Sequence, residues 1–219
     1  PPPQQVQTLN LSENRITESG FVHILPQLLP SLTTIDLSWN SIGYKGVVGL
    51  GKFLNKPDCR LQTLNLSHNS LRDRSISRLA KDVTTNTTLT HLDLSYNMCS
   101  DPGVAAMGAL LRESTTLKEL SLAWNKFRRD GGRAFIAGLI ANKALETLDL
   151  SWNALGSAGE DRSVVESLSE CVMMGGVRAL GSLASHPALT HLDLGHNNFD
   201  EEDCKLIGEG MQVVEFVWG

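Results

Sequence analysis

Apolar residues recur along this chain at two superimposed spacings. At short range they alternate with polar ones, as in Leu64-Asn65-Leu66, Leu92-Asp93-Leu94 and Leu148-Asp149-Leu150, the pattern of a short strand with one face inward. At long range the alternation returns inside an eleven-residue phrase, written most fully at residues 145–155 as L-E-T-L-D-L-S-W-N-A-L. Copies carry Val6/Leu9/Leu11/Asn14/Ile16, Leu32/Ile35/Leu37/Asn40/Ile42, Leu61/Leu64/Leu66/Asn69/Leu71 and Leu89/Leu92/Leu94/Asn97/Met98. Leu117/Leu120/Leu122/Asn125/Phe127 and Leu189/Leu192/Leu194/Asn197/Phe199 bring the total to seven. The phrase asparagines stand 26, 29, 28, 28, 28 and 44 residues apart. A period near 28 held over so many copies identifies a repeat architecture.

Between phrases the spacing of apolar residues changes from two to three and four. Repeat four shows Val104, Met107, Leu110 and Leu111 after Pro102-Gly103, and repeat five Ala134, Phe135, Ala137 and Ile140 after Gly131-Gly132. Each set predicts one buried helix face. In repeat one the set is Phe21, Ile24, Leu25 and Leu28, and Pro26 is expected to kink or shorten the helix. Helices of repeats two to five are expected to end near Asn55, Asn86, Ser114 and Asn142. Strand, helix and parallel strand joined right-handedly make an α/β fold, a right-handed β-α solenoid. Strands sit about 4.8 Å apart whereas packed helices need about 8–10 Å. The stack must therefore curve into a horseshoe, with parallel strands on the concave face and helices on the convex face. Where each phrase turns away from its strand stands an inward asparagine: Asn14, Asn40, Asn69, Asn97, Asn125, Asn153 and Asn197. A buried amide needs partners, and adjacent backbones can supply them, so these residues read as a structural ladder.

The L-x-x-L-x-L-x-x-N-x-L phrase, its period of 28 and a full helix per repeat resemble the ribonuclease-inhibitor class of leucine-rich repeats. The resemblance spans nearly the whole chain. It implies the fold directly and a function only broadly, because the class holds ribonuclease inhibitor, NOD-like receptor arrays, the GTPase activator of Ran, tropomodulin's actin-binding end and ciliary axonemal proteins. Most of these bind proteins. The L-D-L-S-W-N wording is similar to intracellular and ciliary members.

The resulting organisation is a linker-like start over residues 1–5, seven repeats over 6–210 and a tail over 211–219. The 44-residue spacing exceeds the period by the length of an insertion at 160–175 in repeat six. Within it Val164, Val165, Leu168, Cys171 and Val172 follow helical spacing. Two readings stay open: a protruding amphipathic helix, or a surface loop tolerated because insertion costs little closure entropy. No polar cap precedes repeat one, as expected of a segment of a longer protein with further repeats or domains. The tail either caps the last repeat or marks where further repeats were cut away.

Composition narrows the function classes. The 219 residues are 41% hydrophobic with net charge −5, against nucleic-acid binding. No apolar run approaches a membrane span. Cys59, Cys99, Cys171 and Cys204 are scattered; without the cysteine clusters that flank secreted arrays, they imply reduced thiols and a cytoplasmic setting, with a ciliary or cytoskeletal one also compatible. The sequence lacks the phosphate-loop, nucleophile-elbow and H-E-x-x-H motifs, so neither enzyme chemistry nor a cofactor is expected. His191, Asp193 and His196 lie close together, yet His91-Asp93 repeats the pair, which favours repetition over a metal site.

What remains is a surface. Phrase positions 3, 5, 7 and 8 are expected to face the concavity or its rim. Position 5 supplies Asp36, Asp93, Asp149 and Asp193, and position 8 supplies Trp39, His68, Tyr96, Trp124, Trp152 and His196. Exposed aromatics beside charges suit protein anchors, while an acidic floor suits a partner with a basic surface. Equally, each ring can pack on its neighbour and stiffen the stack. A basic rim is drawn by Arg15, Lys45, Arg72, Arg74, Arg128, Arg129 and Arg133, a solvated rim being the plainer reading. The expectation is a non-enzymatic scaffold that binds a protein partner. A GTPase activator like that of Ran and the sensing array of a NOD-like receptor are the alternatives.

Overall fold

Seven three-residue strands lie side by side in chain order: β1 (Thr8–Asn10), β2 (Thr34–Asp36), β3 (Thr63–Asn65), β4 (His91–Asp93), β5 (Glu119–Ser121), β6 (Thr147–Asp149) and β7 (His191–Asp193). The computed structural model describes residues 6–127, 129–156, 183 and 186–212. Every pair is parallel, and each phrase position meets the same position of the next repeat, from Asn10 opposite Asp36 to Asp149 opposite Asp193. Backbone pairing continues past the strands. The position 6 N–H donates to the position 5 carbonyl of the next repeat (Leu66 to Asp93, 2.9 Å), and the position 8 N–H donates to the position 7 carbonyl (His68 to Ser95, 3.1 Å).

Strands alternate with helices α1 (Glu18–Ile24), α2 (Gly43–Leu54), α3 (Asp73–Thr84), α4 (Asp101–Glu113), α5 (Arg129–Ala141) and, after β7, α6 (Glu201–Gln212). The helices form the convex layer of an open β-α solenoid. Helix α1 is the shortest, and gives way at Leu25–Gln27 to a 3-10 turn containing Pro26. Proline has no N–H to donate to the carbonyl one turn back, so the α-helix cannot continue through it. The other helix ends fall within two residues of the expected positions.

Leucines at phrase positions 1, 4, 6 and 11 meet the helix faces in one continuous core, as Leu61, Leu64, Leu66 and Leu71 meet Ile76, Leu79 and Val83. Val104, Met107, Leu110 and Leu111 are all buried. Helix α5 differs from its sequence pattern. Phe135, Ile136 and Leu139 are buried, whereas Ala134, Ala137 and Ile140 face solvent. Gly138 is buried because α4 approaches it closely. A wide apolar pattern left the rotation of this helix undetermined, and close packing on that side decides it. The insertion at 160–175, the start at 1–5, Arg128 and residues 213–219 of the tail lie outside the described residues, as do the side chains of Arg129 and Arg133.

Neighbouring helices also cap one another. Asp73, in the first turn of α3, accepts from the backbone N–H of Ser100 (2.7 Å) and of Gly103 (3.3 Å), and its second oxygen accepts from the Ser100 hydroxyl (2.7 Å). Glu18 accepts from the Lys45 N–H at the start of α2 in the same way. A carboxylate is favoured there because the first N–H groups of a helix lack intrahelical partners.

Candidate functional site

Beneath the concave surface, each phrase asparagine binds two repeats at once. Asn69 donates Nδ2–H bonds towards the Leu37 carbonyl of the preceding repeat (2.8 Å) and towards Leu66 and Ser67 of its own. Its Oδ1 accepts from the Ile42 N–H of the preceding repeat (3.1 Å). Asn40, Asn97, Asn125, Asn153 and Asn197 repeat this arrangement, donating to Leu11, Leu66, Leu94, Leu122 and Leu150 respectively. Asn14, in the first described repeat, bonds only Leu11 and Ser12 of its own turn. A second set of ties, unrecognised in the sequence, stands three residues before the phrase. Asn142 donates to Leu111 (2.6 Å) and accepts from Ala144 and Leu145, and Asn86 does likewise between Leu54 and Leu89. His186 takes the same place with its ring, Nδ1 accepting from Leu189 N–H and Nε2 facing the Leu139 carbonyl. The Asn-to-His change hid this register.

Position 5 has a local reason for its Asp and Asn. The side-chain Oδ1 of Asn10, Asp36, Asn65, Asp93, Asp149 and Asp193 accepts from the position 7 N–H at 2.8–2.9 Å in each case. Either residue supplies that acceptor, which is why they interchange along the column. With Asp the second oxygen adds charge without being needed for the turn. Position 7, expected on the concavity or rim, is buried at Ser38, Ser67, Ser95, Ala123 and Ser151. Its carbonyl serves both the asparagine and the preceding repeat, so only a small side chain fits inside the turn.

Position 8 adopts the left-handed backbone region in every repeat: φ is +54° at Trp39, +53° at His68, Tyr96 and Trp124, and +55° at Trp152 and His196. Bulky residues rarely take this conformation, which costs on the order of 1 kcal/mol or more each. Here it sets six rings in one column. Centroid separations are 3.6 Å from Trp39 to His68, 4.0 Å to Tyr96, 5.0 Å to Trp124, 4.0 Å to Trp152 and 3.8 Å to His196, all within 16° of parallel. Each contact is worth about 0.5–1.5 kcal/mol, comparable with the backbone strain. The stack still leaves Trp39 55%, Tyr96 42%, Trp124 40% and Trp152 41% exposed. His68, placed in the same column by its phrase position, fills the gap between Trp39 and Tyr96. Burial lowers its pKa, and the Asp93 carboxylate of the next repeat partly offsets this.

Further along the concave face, His91 Nε2 lies 3.2 Å from Glu119, and Lys118 pairs with Glu146 at 2.6 Å. Arg15, Lys45, Arg72 and Arg74 are exposed on the rim, Arg74 lying 4.0 Å over the Tyr44 ring. Cys59 and Cys99 are buried free thiols, and Cys204 is an exposed one. Burial pushes the Cys99 thiol far above its ordinary value, with Asp73 and Asp101 adding to the effect. Among the described residues no three His, Cys, Asp or Glu side chains gather as a metal site, and no helix is long and apolar enough to cross a membrane.

Residues 72 long in extent match "NACHT, LRR and PYD domains-containing protein 5" of Mus musculus at 43% identity, covering 32% of this chain and 6% of that protein. A stretch of 87 residues matches "NACHT, LRR and PYD domains-containing protein 12" of Homo sapiens at 32% identity, covering 39% of this chain and 8% of that one. The chain thus spans less than a tenth of the length of these relatives. Among solved structures, "Leiomodin-1 Actin-Binding Site 2 (ABS2)" covers 88% of each chain at 14% identity and a TM-score of 0.45. The "TLR13-ssRNA13 complex" covers 89% of this chain and 25% of the other at 20% identity and 0.40. Family models described as leucine-rich repeat match residues 29–51, 60–81, 85–108, 113–135, 141–159 and 185–208. With more than half of its residues matched, the chain belongs to the leucine-rich-repeat family.

Proposed function

We propose that this chain is a non-enzymatic scaffold that binds a protein partner across its concave face and the aromatic column. The observation that carries the reading is the column itself. Stacked one upon the next, the rings are held in place before any partner arrives, so little side-chain entropy is lost on binding. Their exposed edges offer a long apolar strip beside the position 5 aspartates, the combination favoured in interface anchors. Leucine-rich repeats are interaction modules, and a surface built by repetition suits recognition better than localised chemistry.

The test replaces Trp124 and Trp152 by Ala and measures recovery of bound partner. A marked loss with the fold intact, judged by circular dichroism and cooperative unfolding, supports the reading. Undiminished recovery from the folded variant removes the column as the binding site.

Similarity to NACHT, LRR and PYD proteins favours one more specific setting, the sensing array of a NOD-like receptor. A full-length transcript encoding a nucleotide-binding module upstream is its test. A transcript without one refutes it.

A further inference from the structure

We infer that the concave face is shaped for an extended, polyproline-II segment of a partner protein carrying Arg or Lys at every third residue. This rests on the scaffold reading above and specifies the chemistry of its partner. The first observation is a spacing. Because the strands pair in exact phrase register, Asp36, Asp93 and Asp149 stand on one line across the sheet, with Asn65 and Ser121 between them. From β2 to β6 the charged position 5 residues therefore recur every second strand, at about 9.6 Å, and Asp193 follows Asp149 on the adjacent strand β7. A polyproline-II helix turns once in three residues and rises about 9.3 Å, so its every-third side chains fall on the same face at nearly that interval. An ordinary β-strand repeats its facing side chains at about 6.6 Å and an α-helix at about 5.4 Å; neither holds register with the carboxylates.

The second observation is the ring column running beside that line. Polyproline-II segments are commonly bound on aromatic-lined surfaces, because the conformation is already ordered and presents flat apolar ridges. Trp39, Tyr96, Trp124 and Trp152 supply such a surface along the same repeats. Charge selects the sign of the partner. Phrase positions 2, 3 and 5 carry Asp36, Asp93, Asp149, Asp193, Glu119 and Glu146 against one lysine, Lys118. Glu119 and Glu146 are already engaged by His91 and Lys118, whereas the Asp36 and Asp93 carboxylates use one oxygen each for the position 7 turn. Cations arriving at the aspartates would meet a carboxylate oxygen, while the prolines between them would lie along the apolar edges of the stacked rings.

The experiment uses a fluorescent Pro-Pro-Arg repeat peptide long enough to cross from β2 to β6. Its control has the same composition with the arginines gathered at one end. Both are polyproline-II and equally charged, and differ only in cation spacing. By anisotropy the spaced peptide should bind about tenfold tighter than the control, with affinity falling as salt is raised. Asp93→Asn should weaken it about two- to fivefold without unfolding the protein, since Asn10 and Asn65 hold the same turn bond in their own repeats. Equal binding of the two peptides, no binding of either, or indifference to Asp93→Asn overturns the inference. The scaffold reading fails separately, when the Trp124 and Trp152 variants still retain the partner. A partner lost with the tryptophans but insensitive to the spaced peptide leaves the scaffold standing and sinks the spacing.

Discussion

Gly108 in α4 and Gly138 in α5 touch backbone to backbone: a Cβ built on Gly138 would fall 1.9 Å from the Gly108 carbonyl oxygen. A Cβ on Gly108 would in turn lie 2.6 Å from the Ala134 carbonyl oxygen. The obstructing atoms are main chain, so no side chain can swing aside. Gly138→Ala is expected to cost about 1–3 kcal/mol, as overpacking does, despite alanine's better helix propensity. Gly208, in α6, has nothing within 4 Å of its Cβ position, and Gly208→Ala should stabilise by up to about 1 kcal/mol. Urea unfolding of both variants reads the contrast. Similar effects of the same sign would contradict the close approach.

Asparagines of one phrase position should not be equivalent. Asn97 is buried, donates to Leu66, Leu94 and Ser95, and accepts from Asn69 and Leu71. Asn97→Ala takes the acceptor from the Leu71 and Asn69 N–H groups, and each buried orphan costs about 1–3 kcal/mol. Asn14 is exposed and serves only its own turn, so Asn14→Ala should cost less than about 1 kcal/mol. Chemical denaturation of the two variants gives the comparison, and equal losses would break the argument.

The repeat period was legible because Leu, Asn and strand alternation recur at fixed distance, and that fixed the parallel sheet and its register. Less legible was anything settled by neighbours in space. Position 7 serines look like surface residues in the phrase, yet their carbonyls are used by two repeats and the side chains close over. Rotation of α5 was hidden because Ala134 and Ala137 extend the apolar pattern past the face that Gly138 brings against α4. At position 8 the aromatic identity was visible, but the choice between anchors and stacking was not, since ring overlap depends on a left-handed backbone that no spacing reveals. His68 shows how much the register carries: as a lone histidine it has no signal, yet its phrase position puts it in the column, between Trp39 and Tyr96.

Thiol chemistry should separate the cysteines. Cys99 is fully buried, and its thiol is pushed far up by burial and by Asp73 and Asp101. Thiolate is the reactive form. In a Cys171→Ser background, maleimide should modify Cys204 quickly, while Cys59 and Cys99 react only as the protein unfolds. Mass spectrometry of timed samples identifies each site, and rapid modification of Cys99 in folded protein would contradict its placement.

Acid should act on the ring column through His68. Burial lowers its folded pKa, so as pH falls the unfolded chain takes up the proton first, near its ordinary value of about 6.5. Stability from this group is therefore complete above about pH 6.5 and is lost as pH drops towards the folded value. His68→Phe keeps a ring between Trp39 and Tyr96 but has no proton to bind, so its melting temperature should fall less between pH 7 and pH 5. Asp93 opposes the shift, and Asp93→Asn should steepen the acid loss while His68→Phe cancels most of that steepening. Thermal unfolding of the two single variants and the double variant across this range measures the coupling. Parallel pH profiles in all of them would mean that His68 does not titrate against the stack.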